Sequence, residues 1–128
     1  MKIVVTDGYA VNPGDLSWDE VALCGDLEVY EHTKPEDTFE RVGDADIVIV
    51  NKTILSAEII LSCSKLKLIC VSATGYNNVD IEAAKKRNIS VCNAANYSTK
   101  SVAQHVLAMI LHVYNRVSYY TRSVNEGR

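Results

Sequence analysis

The sequence predicts an α/β fold in which a parallel five-stranded open sheet has helices on both faces. Five short runs rich in Val, Ile and Leu are mostly continuous rather than alternating, which is typical of parallel strands buried on both sides. Helix-start signals lie between these runs, and strand–helix alternation at this spacing favours right-handed crossovers. The predicted strands are Lys2–Thr6, Leu27–Glu31, Asp46–Val50, Leu66–Ser72 and Ile89–Cys92.

The short helices between the strands are predicted from their first residues. Ser17 and Glu20 have the spacing of a capping box, in which two side chains satisfy two free backbone N–H groups. Pro35 stands where the first turn of a helix tolerates a missing N–H. Ser56 and Asp80 are N-cap candidates, because their side-chain oxygens can accept hydrogen bonds from the start of a helix. These two caps predict helices over Ala57–Ser62 and Ile81–Arg87, the second followed by Asn88 as a left-handed residue.

Strand–helix units of this length fit a flavodoxin-like strand order of 2-1-3-4-5, whose ligands bind outside the carboxyl ends of the strands. The loop Thr74-Gly75-Tyr76-Asn77 lies at that edge, where Gly75 permits a sharp turn whose N–H groups converge on a carboxylate. An ordinary strand-to-helix turn would fit the same pattern. Lys52 follows the third strand and would either offset a substrate's negative charge or be solvated. Asp7, followed by Gly8, indicates a turn rather than a catalytic carboxylate.

One long amphipathic helix is predicted from about Thr99 to Asn125. At ~100° per residue its apolar side chains fall in one arc, which needs a second domain or subunit to cover it. His105 and His112 share the polar side with no carboxylate to orient an imidazole, so we expect no general base there. The apolar arc consists of Val102, Val106, Ile110, Val113, Val117, Tyr120 and Val124.

Composition excludes several classes of function. The net charge of −3 and the scattered basic residues argue against partners such as nucleic acid or an anionic membrane. No apolar run approaches the ~20 residues of a membrane-spanning helix. The chain has no G-x-G-x-x-G motif and no convincing zinc spacing, so we expect no metal site and no complete catalytic constellation.

The N-terminus and the cysteines indicate the compartment. The first residues enter a strand without the pattern of a leader peptide, which leads us to expect a cytoplasmic protein. The cysteines form no C-x-x-C pair and lie in apolar runs, so reduced core thiols are expected rather than metal or redox sites. They are Cys24, Cys63, Cys70 and Cys92.

Three segments together resemble the D-isomer-specific 2-hydroxyacid dehydrogenase family. They are Asn51-Lys52-Thr53, Ala73-Thr74-Gly75-Tyr76-Asn77-Asn78-Val79-Asp80 and Tyr97-Ser98-Thr99-Lys100-Ser101-Val102-Ala103-Gln104-His105. The second and third look most like the glycerate dehydrogenase (hydroxypyruvate reductase) subgroup. Such enzymes have a flavodoxin-like substrate-binding domain and a nucleotide-binding domain, with the active site between them.

The resemblance implies how the chain is organised. Residues 1–98 would be the N-terminal part of the substrate-binding domain, and residues 99–128 the interdomain helix that leads to a nucleotide-binding domain. The family's cofactor loop and its catalytic arginine, glutamate and histidine would lie beyond residue 128. We therefore expect these 128 residues alone to be inactive, and a homodimer to form through the terminal helix and the nucleotide-binding domain.

The resemblance also implies roles for the candidate residues. A small 2-oxo or 2-hydroxy acid would be the substrate and NAD the cofactor. The residues that would bind the substrate's carboxylate are Thr74, Gly75, Tyr76 and Asn77, with Lys52 as a secondary contact. Thr74 and Val102 would lie near the nicotinamide. Which 2-hydroxy acid is used, and whether NADH or NADPH, stays open.

Two other classes of function also stay open. A stand-alone flavodoxin-like binding or regulatory module would fit the same fold. However, the third strand ends in Asn51-Lys52 rather than in the aspartate of a phosphoacceptor domain, and Thr6-Asp7-Gly8-Tyr9-Ala10 is a poor flavin phosphate loop. A non-catalytic subunit that pairs with a partner through the terminal helix would suit the apolar arc of that helix.

Overall fold

The computed structural model describes residues 1–128, which divide into two compact units, residues 1–95 and residues 96–128. The first unit is a parallel sheet in the order β2-β1-β3-β4-β5, which confirms the predicted α/β fold and its flavodoxin-like strand order. The strands are β1 (Lys2–Val5), β2 (Asp26–Val29), β3 (Ile47–Val50), β4 (Leu68–Val71) and β5 (Ser90–Asn93). The helices of this unit are α1 (Gly8–Val11), α2 (Asp19–Ala22), α3 (Thr38–Val42), α4 (Ala57–Ser62) and α5 (Ile81–Lys86).

One face of the sheet carries the main hydrophobic core. Val48 of β3 and Ile69 of β4 are register partners, and both are fully buried in one cluster with Ile60 of α4 and Ala83 of α5. The regular alternation of buried and half-buried residues along β3 and β4 shows that their two faces are covered unequally. On the less covered face, the half-buried residues of these strands are Ile47, Ile49, Leu68 and Cys70.

The two predicted N-caps of the core-side helices are confirmed. Ser56 Oγ accepts a hydrogen bond from Ile59 N at 3.4 Å, and α4 begins at the next residue. Asp80 Oδ1 accepts one from Ala83 N at 2.8 Å and caps α5. Asn88 has a φ of 54°, the left-handed conformation that ends this helix. These local signals determine where the helices start because each satisfies backbone groups that the helix itself leaves free.

The predicted capping box of Ser17 and Glu20 is wrong. Helix α2 begins two residues later, at Asp19, and has no side-chain cap. Ser17 Oγ instead accepts a hydrogen bond from Asp19 N at 3.0 Å, which forms a local turn ahead of the helix. Pro35 does stand in the first turn of a helix, but this is a 3₁₀ turn over Pro35–Asp37 that leads into α3.

The second unit contains two helices, α6 (Thr99–Tyr114) and α7 (Val117–Asn125), so the prediction of one continuous helix is wrong. Arg116 separates them with a φ of 51°. Its N–H donates to Val113 O at 3.2 Å, three residues back, which tightens the last turn and ends α6. The apolar side chains continue on both sides of the break, and no residue of either helix is buried within this unit.

The cysteines follow the prediction only in part. Cys63 is a buried core thiol, but Cys24 and Cys92 are exposed and Cys70 is half-buried. Cys24 lies in the turn after the short, exposed α2, and Cys92 lies on the outermost strand, so apolar neighbours in sequence did not place either of them in the core. No helix of the structure is both long enough and apolar enough to cross a membrane.

Candidate functional site

The loops that follow β3 and β4 are tied together at the carboxyl edge of the sheet. The side-chain amide of Asn78 donates to Thr53 O at 3.0 Å and to Asn51 O at 3.4 Å. Asn51 in turn donates through Nδ2 to Ser72 O at 2.8 Å. A parallel bridge between Leu55 and Val79 continues the connection beyond the strands. The two loops therefore form one rigid surface.

Thr74 is also held from the side of β5. Asn93 Nδ2 donates to Thr74 O at 2.8 Å, and Thr74 Oγ1 donates to Ala94 O at 3.1 Å. Ala94 N donates to Ala73 O at 3.1 Å, so the backbones of the two loops are also joined directly. These contacts position the start of the Thr74-Gly75-Tyr76-Asn77 loop before any ligand is present.

The backbone N–H groups of this loop face solvent. Thr74, Gly75, Tyr76 and Asn77 are all exposed, and none of their N–H groups donates to another group of the protein. Four successive exposed N–H groups without partners are the donors that an anion-binding loop requires. The loop thus follows β4 at the carboxyl edge of the sheet, and its four N–H groups are not used within the protein.

Gly75 has a different role from the one that the sequence indicated. Its φ lies outside the left-handed region, unlike those of Gly14 and Gly127, so the turn does not require glycine. A Cβ at this position would meet only Asn77 Oδ1, at an ordinary 3.4 Å. The missing side chain thus leaves open space above the N–H groups rather than relieving backbone strain.

Lys52 stands on the neighbouring loop, which is fixed by a buried carboxylate that the sequence interpretation assigned to a turn. Asp7 is 3% exposed, and its Oδ2 accepts hydrogen bonds from the N–H groups of Asn51, Lys52 and Thr53 at 2.9, 2.9 and 3.0 Å. Its Oδ1 accepts from Thr53 Oγ1 at 2.8 Å, and Thr6 Oγ1 donates to Oδ2 at 3.0 Å.

The environment keeps Asp7 ionised. Burial alone raises its pKa, but the backbone N–H groups of Thr53, Asn51 and Lys52, together with the Thr53 hydroxyl, stabilise the charged form and lower the pKa overall. Because Oδ2 accepts four hydrogen bonds and Oδ1 one, and because the pKa is lowered, Asp7 is an anchor for the loop and not a proton carrier. No residue beside Asp7 in the sequence signals this role, because its backbone partners lie at residues 51–53.

The anchored loop presents Lys52 to solvent. Its side chain is exposed and forms no ion pair, so its charge is free to meet an anion. A cleft of about 400 Å³ opens beside it at the same edge of the sheet. The residues lining this cleft include His32, Thr33, Thr53, Ile54 and Ile59.

The remaining candidates lie in the second unit. Val102 is on α6 and 57% exposed. His112 Nε2 lies 2.8 Å from Ser118 Oγ, and neither it nor His105 is accompanied by a carboxylate. No cluster of three or more His, Cys, Asp or Glu side chains is arranged to hold a metal ion. In the first unit, Asn78 joins the end of the Thr74-Gly75-Tyr76-Asn77 loop to the backbone on both sides of Lys52, whereas the cleft beside Lys52 is lined by residues outside that loop.

Comparison with known proteins identifies the family. The model of the catalytic domain of D-isomer specific 2-hydroxyacid dehydrogenases matches residues 3–126. The chain belongs to this family. It is 42% identical over its whole length to a hydroxypyruvate reductase of Blautia hydrogenotrophica, of which it covers 41%. The resemblance inferred from the sequence motifs is therefore confirmed.

Solved structures agree with this assignment. The chain is similar over its whole length to an acyclic imino acid reductase in complex with NADPH and D-Arg, with a TM-score of 0.80 and 29% identity, and covers 42% of that protein. It is similar, again over its whole length, to an NAD-dependent formate dehydrogenase from Staphylococcus aureus in complex with NAD, with a TM-score of 0.75 and 25% identity, and covers 41% of it. The chain thus spans about two fifths of the length of these three proteins.

Proposed function

We propose that this chain is the substrate-binding portion of an NAD(H)-dependent oxidoreductase that acts on the CH–OH group of a small D-2-hydroxy acid, of the glycerate and hydroxypyruvate kind. The observation that carries the proposal is the exposed row of unpartnered N–H groups in the Thr74-Gly75-Tyr76-Asn77 loop, in a chain 42% identical to a hydroxypyruvate reductase. Residues 1–98 form the substrate-binding part, and residues 99–128 lead to the nucleotide-binding domain.

In this proposal the Thr74-Gly75-Tyr76-Asn77 loop holds the substrate's carboxylate. Backbone N–H groups and the Asn77 amide donate to the carboxylate oxygens, and Lys52 contributes a positive charge from the adjacent loop. Hydrogen bonds to a charged group are worth about 1.5–3 kcal/mol each. The contacts of Thr74 with the β5 side and the Asp7 anchor fix both loops in advance, which lowers the entropic cost of binding.

The cofactor has only a minor share of its contacts on this chain. NAD(H) supplies the hydride in reactions of this type, and we propose Thr74 and Val102 as its contacts near the nicotinamide. The 128 residues contain no glycine-rich phosphate loop, so they do not fit the pyrophosphate of a dinucleotide. We accordingly propose that the chain alone oxidises no NADH in the presence of hydroxypyruvate; turnover above background would contradict this.

Binding of the acid can be tested directly on the 128-residue chain. We expect hydroxypyruvate, added to the ¹⁵N-labelled protein, to shift the amide resonances of residues 74–77 before all others. Lys52→Met should weaken this binding about tenfold, which corresponds to about 1.4 kcal/mol. Lys65→Met, at another exposed lysine outside the site, is the matched control and should leave the affinity unchanged. Equal loss in both variants, or shifts confined to other regions, would contradict the proposed site.

We further propose that the protein forms a homodimer through the terminal helices together with the nucleotide-binding domain. Support comes from large apolar side chains along α6 that remain 56–58% exposed, such as Leu107 and Ile110. For the protein that includes its nucleotide-binding domain, light scattering after gel filtration should then give twice the mass of one chain, and Ile110→Glu should halve it. Gln104→Glu, on the polar side, is the control. If that longer wild-type protein stays monomeric at high concentration, the result counts against this interface.

A further inference from the structure

Two cysteines of neighbouring strands face each other in the sheet. Cys70 of β4 and Cys92 of β5 are register partners, so their side chains project from the same face. Their Sγ atoms lie 3.5 Å apart, with the Cys92 thiol donating towards Cys70. Cys92 is exposed and Cys70 is half-buried, on the face that the helices cover incompletely. A small oxidant therefore has access to the pair.

The backbone geometry is compatible with a covalent link. Neighbouring strands lie about 4.8 Å apart. Disulfides occur at Cα separations of roughly 4.4–6.8 Å. A bond of about 2.05 Å requires the two sulfur atoms to approach by about 1.5 Å, which rotations of both side chains can supply. No other thiol competes, because Cys63 is buried and Cys24 lies exposed in the turn after α2.

We propose that Cys70 and Cys92 form a redox-sensitive dithiol that a peroxide closes to a disulfide between β4 and β5. The Cys92 thiolate attacks one oxygen of hydrogen peroxide, the O–O bond breaks, and the released hydroxide takes up the thiol proton to form water. Cys70 sulfur then attacks the resulting sulfenic sulfur, and the S–O bond breaks. The departing hydroxyl leaves as water with the proton of Cys70, so two thiols are oxidised and one peroxide is reduced.

The environments of the two thiols assign their roles. Burial, and then the hydrogen bond with Cys92, raise the pKa of Cys70 to about 12, so Cys70 is a poor first nucleophile. The exposed Cys92 reacts first, and Cys70 resolves the sulfenic acid. The disulfide would fasten β4 to β5 one residue before Asn93 and four residues before Thr74. This thiol chemistry involves only β4 and β5 and is independent of the proposed enzymatic function.

The test is a non-reducing peptide map of the full 128-residue chain after mild treatment with hydrogen peroxide. We expect the protein to lose the mass of two hydrogens and two of its four titratable thiols. Trypsin should release residues 68–85 linked to residues 88–100, and dithiothreitol should separate them. Absence of the linked peptides at a peroxide dose that oxidises Cys24 would overturn the proposal, as would sulfinic acid at Cys92 beside a free Cys70.

Single serine variants supply the controls. Cys24→Ser should give the same linked peptides as the wild type. Cys70→Ser removes the resolving thiol, so Cys92 should proceed to sulfinic acid instead of stopping at a disulfide. Circular dichroism would check that each variant is folded. Equal oxidation of Cys92 to sulfinic acid with and without Cys70 would show that the two residues do not act as a pair.

Discussion

Replacing Asp7 with asparagine tests how the loop that carries Lys52, residues 51–53, is held in place. The asparagine oxygen can still accept from the three N–H groups of residues 51–53, and its NH₂ group can donate to the Thr53 hydroxyl. What Asp7→Asn removes is the charge. Hydrogen bonds to charged acceptors contribute about 1.5–3 kcal/mol, against about 0.5–1.5 kcal/mol for neutral ones. Because the three N–H groups share one oxygen and the neutral side chain is easier to bury, we expect a total loss of about 2 kcal/mol.

The loss of stability in Asp7→Asn should depend on pH. The pKa of Asp7 is lowered in the folded chain, so its contribution to stability is fully present above the ordinary carboxyl pKa of about 4. It disappears as the pH falls through the lowered folded value, where the wild type also becomes neutral. The difference between wild type and Asp7→Asn should therefore shrink on acidification.

Urea unfolding followed by circular dichroism, at neutral pH and at several acidic pH values, measures both effects. Asp15→Asn, at an exposed aspartate, is the matched control and should change stability by less than about 0.5 kcal/mol. A loss below about 0.5 kcal/mol in Asp7→Asn, or a loss of the same size at all pH values, would refute the charged anchor.

Three further substitutions and one control, measured by the same unfolding experiment, probe core packing, a helix cap and a contact between loops. Ile60→Ala, at a fully buried side chain, should cost about 3 kcal/mol, whereas Ile54→Ala, at a side chain 66% exposed, should cost less than about 0.5 kcal/mol; similar costs would contradict the assigned core. Asp80→Ala should cost about 1 kcal/mol through loss of the N-cap of α5, and an unchanged stability would show that this cap is dispensable. Asn78→Ala should cost about 1–2 kcal/mol because it removes the side-chain donor between two loops, and an unchanged stability would show that this donor does not hold the loops together.

The strands and their order could be predicted because each depends on a short local pattern. Continuous apolar runs indicated parallel strands, and single capping residues such as Ser56 and Asp80 gave the helix starts. The position of Lys52 and the Thr74-Gly75-Tyr76-Asn77 loop at one edge also followed, since the carboxyl ends of parallel strands meet there.

The unpredicted features depend on residues distant in sequence or on backbone geometry. The partners of Asp7 lie at residues 51–53, so nothing beside Asp7 reveals that its carboxylate is buried and occupied. The break at Arg116 has no glycine or proline to mark it, and the apolar periodicity passes through it. The exposure of Cys92 follows from the outer position of β5, which is a property of the whole sheet.

At Gly75, the space beside the loop can change without a change in the backbone conformation. Since its backbone is outside the left-handed region and a Cβ would meet only Asn77 Oδ1 at 3.4 Å, the fold would accept alanine there. Side-chain size at this one position can therefore vary the room available to a ligand while the scaffold stays intact. Alanine at residue 75 would narrow the space beside the loop with little change in folding.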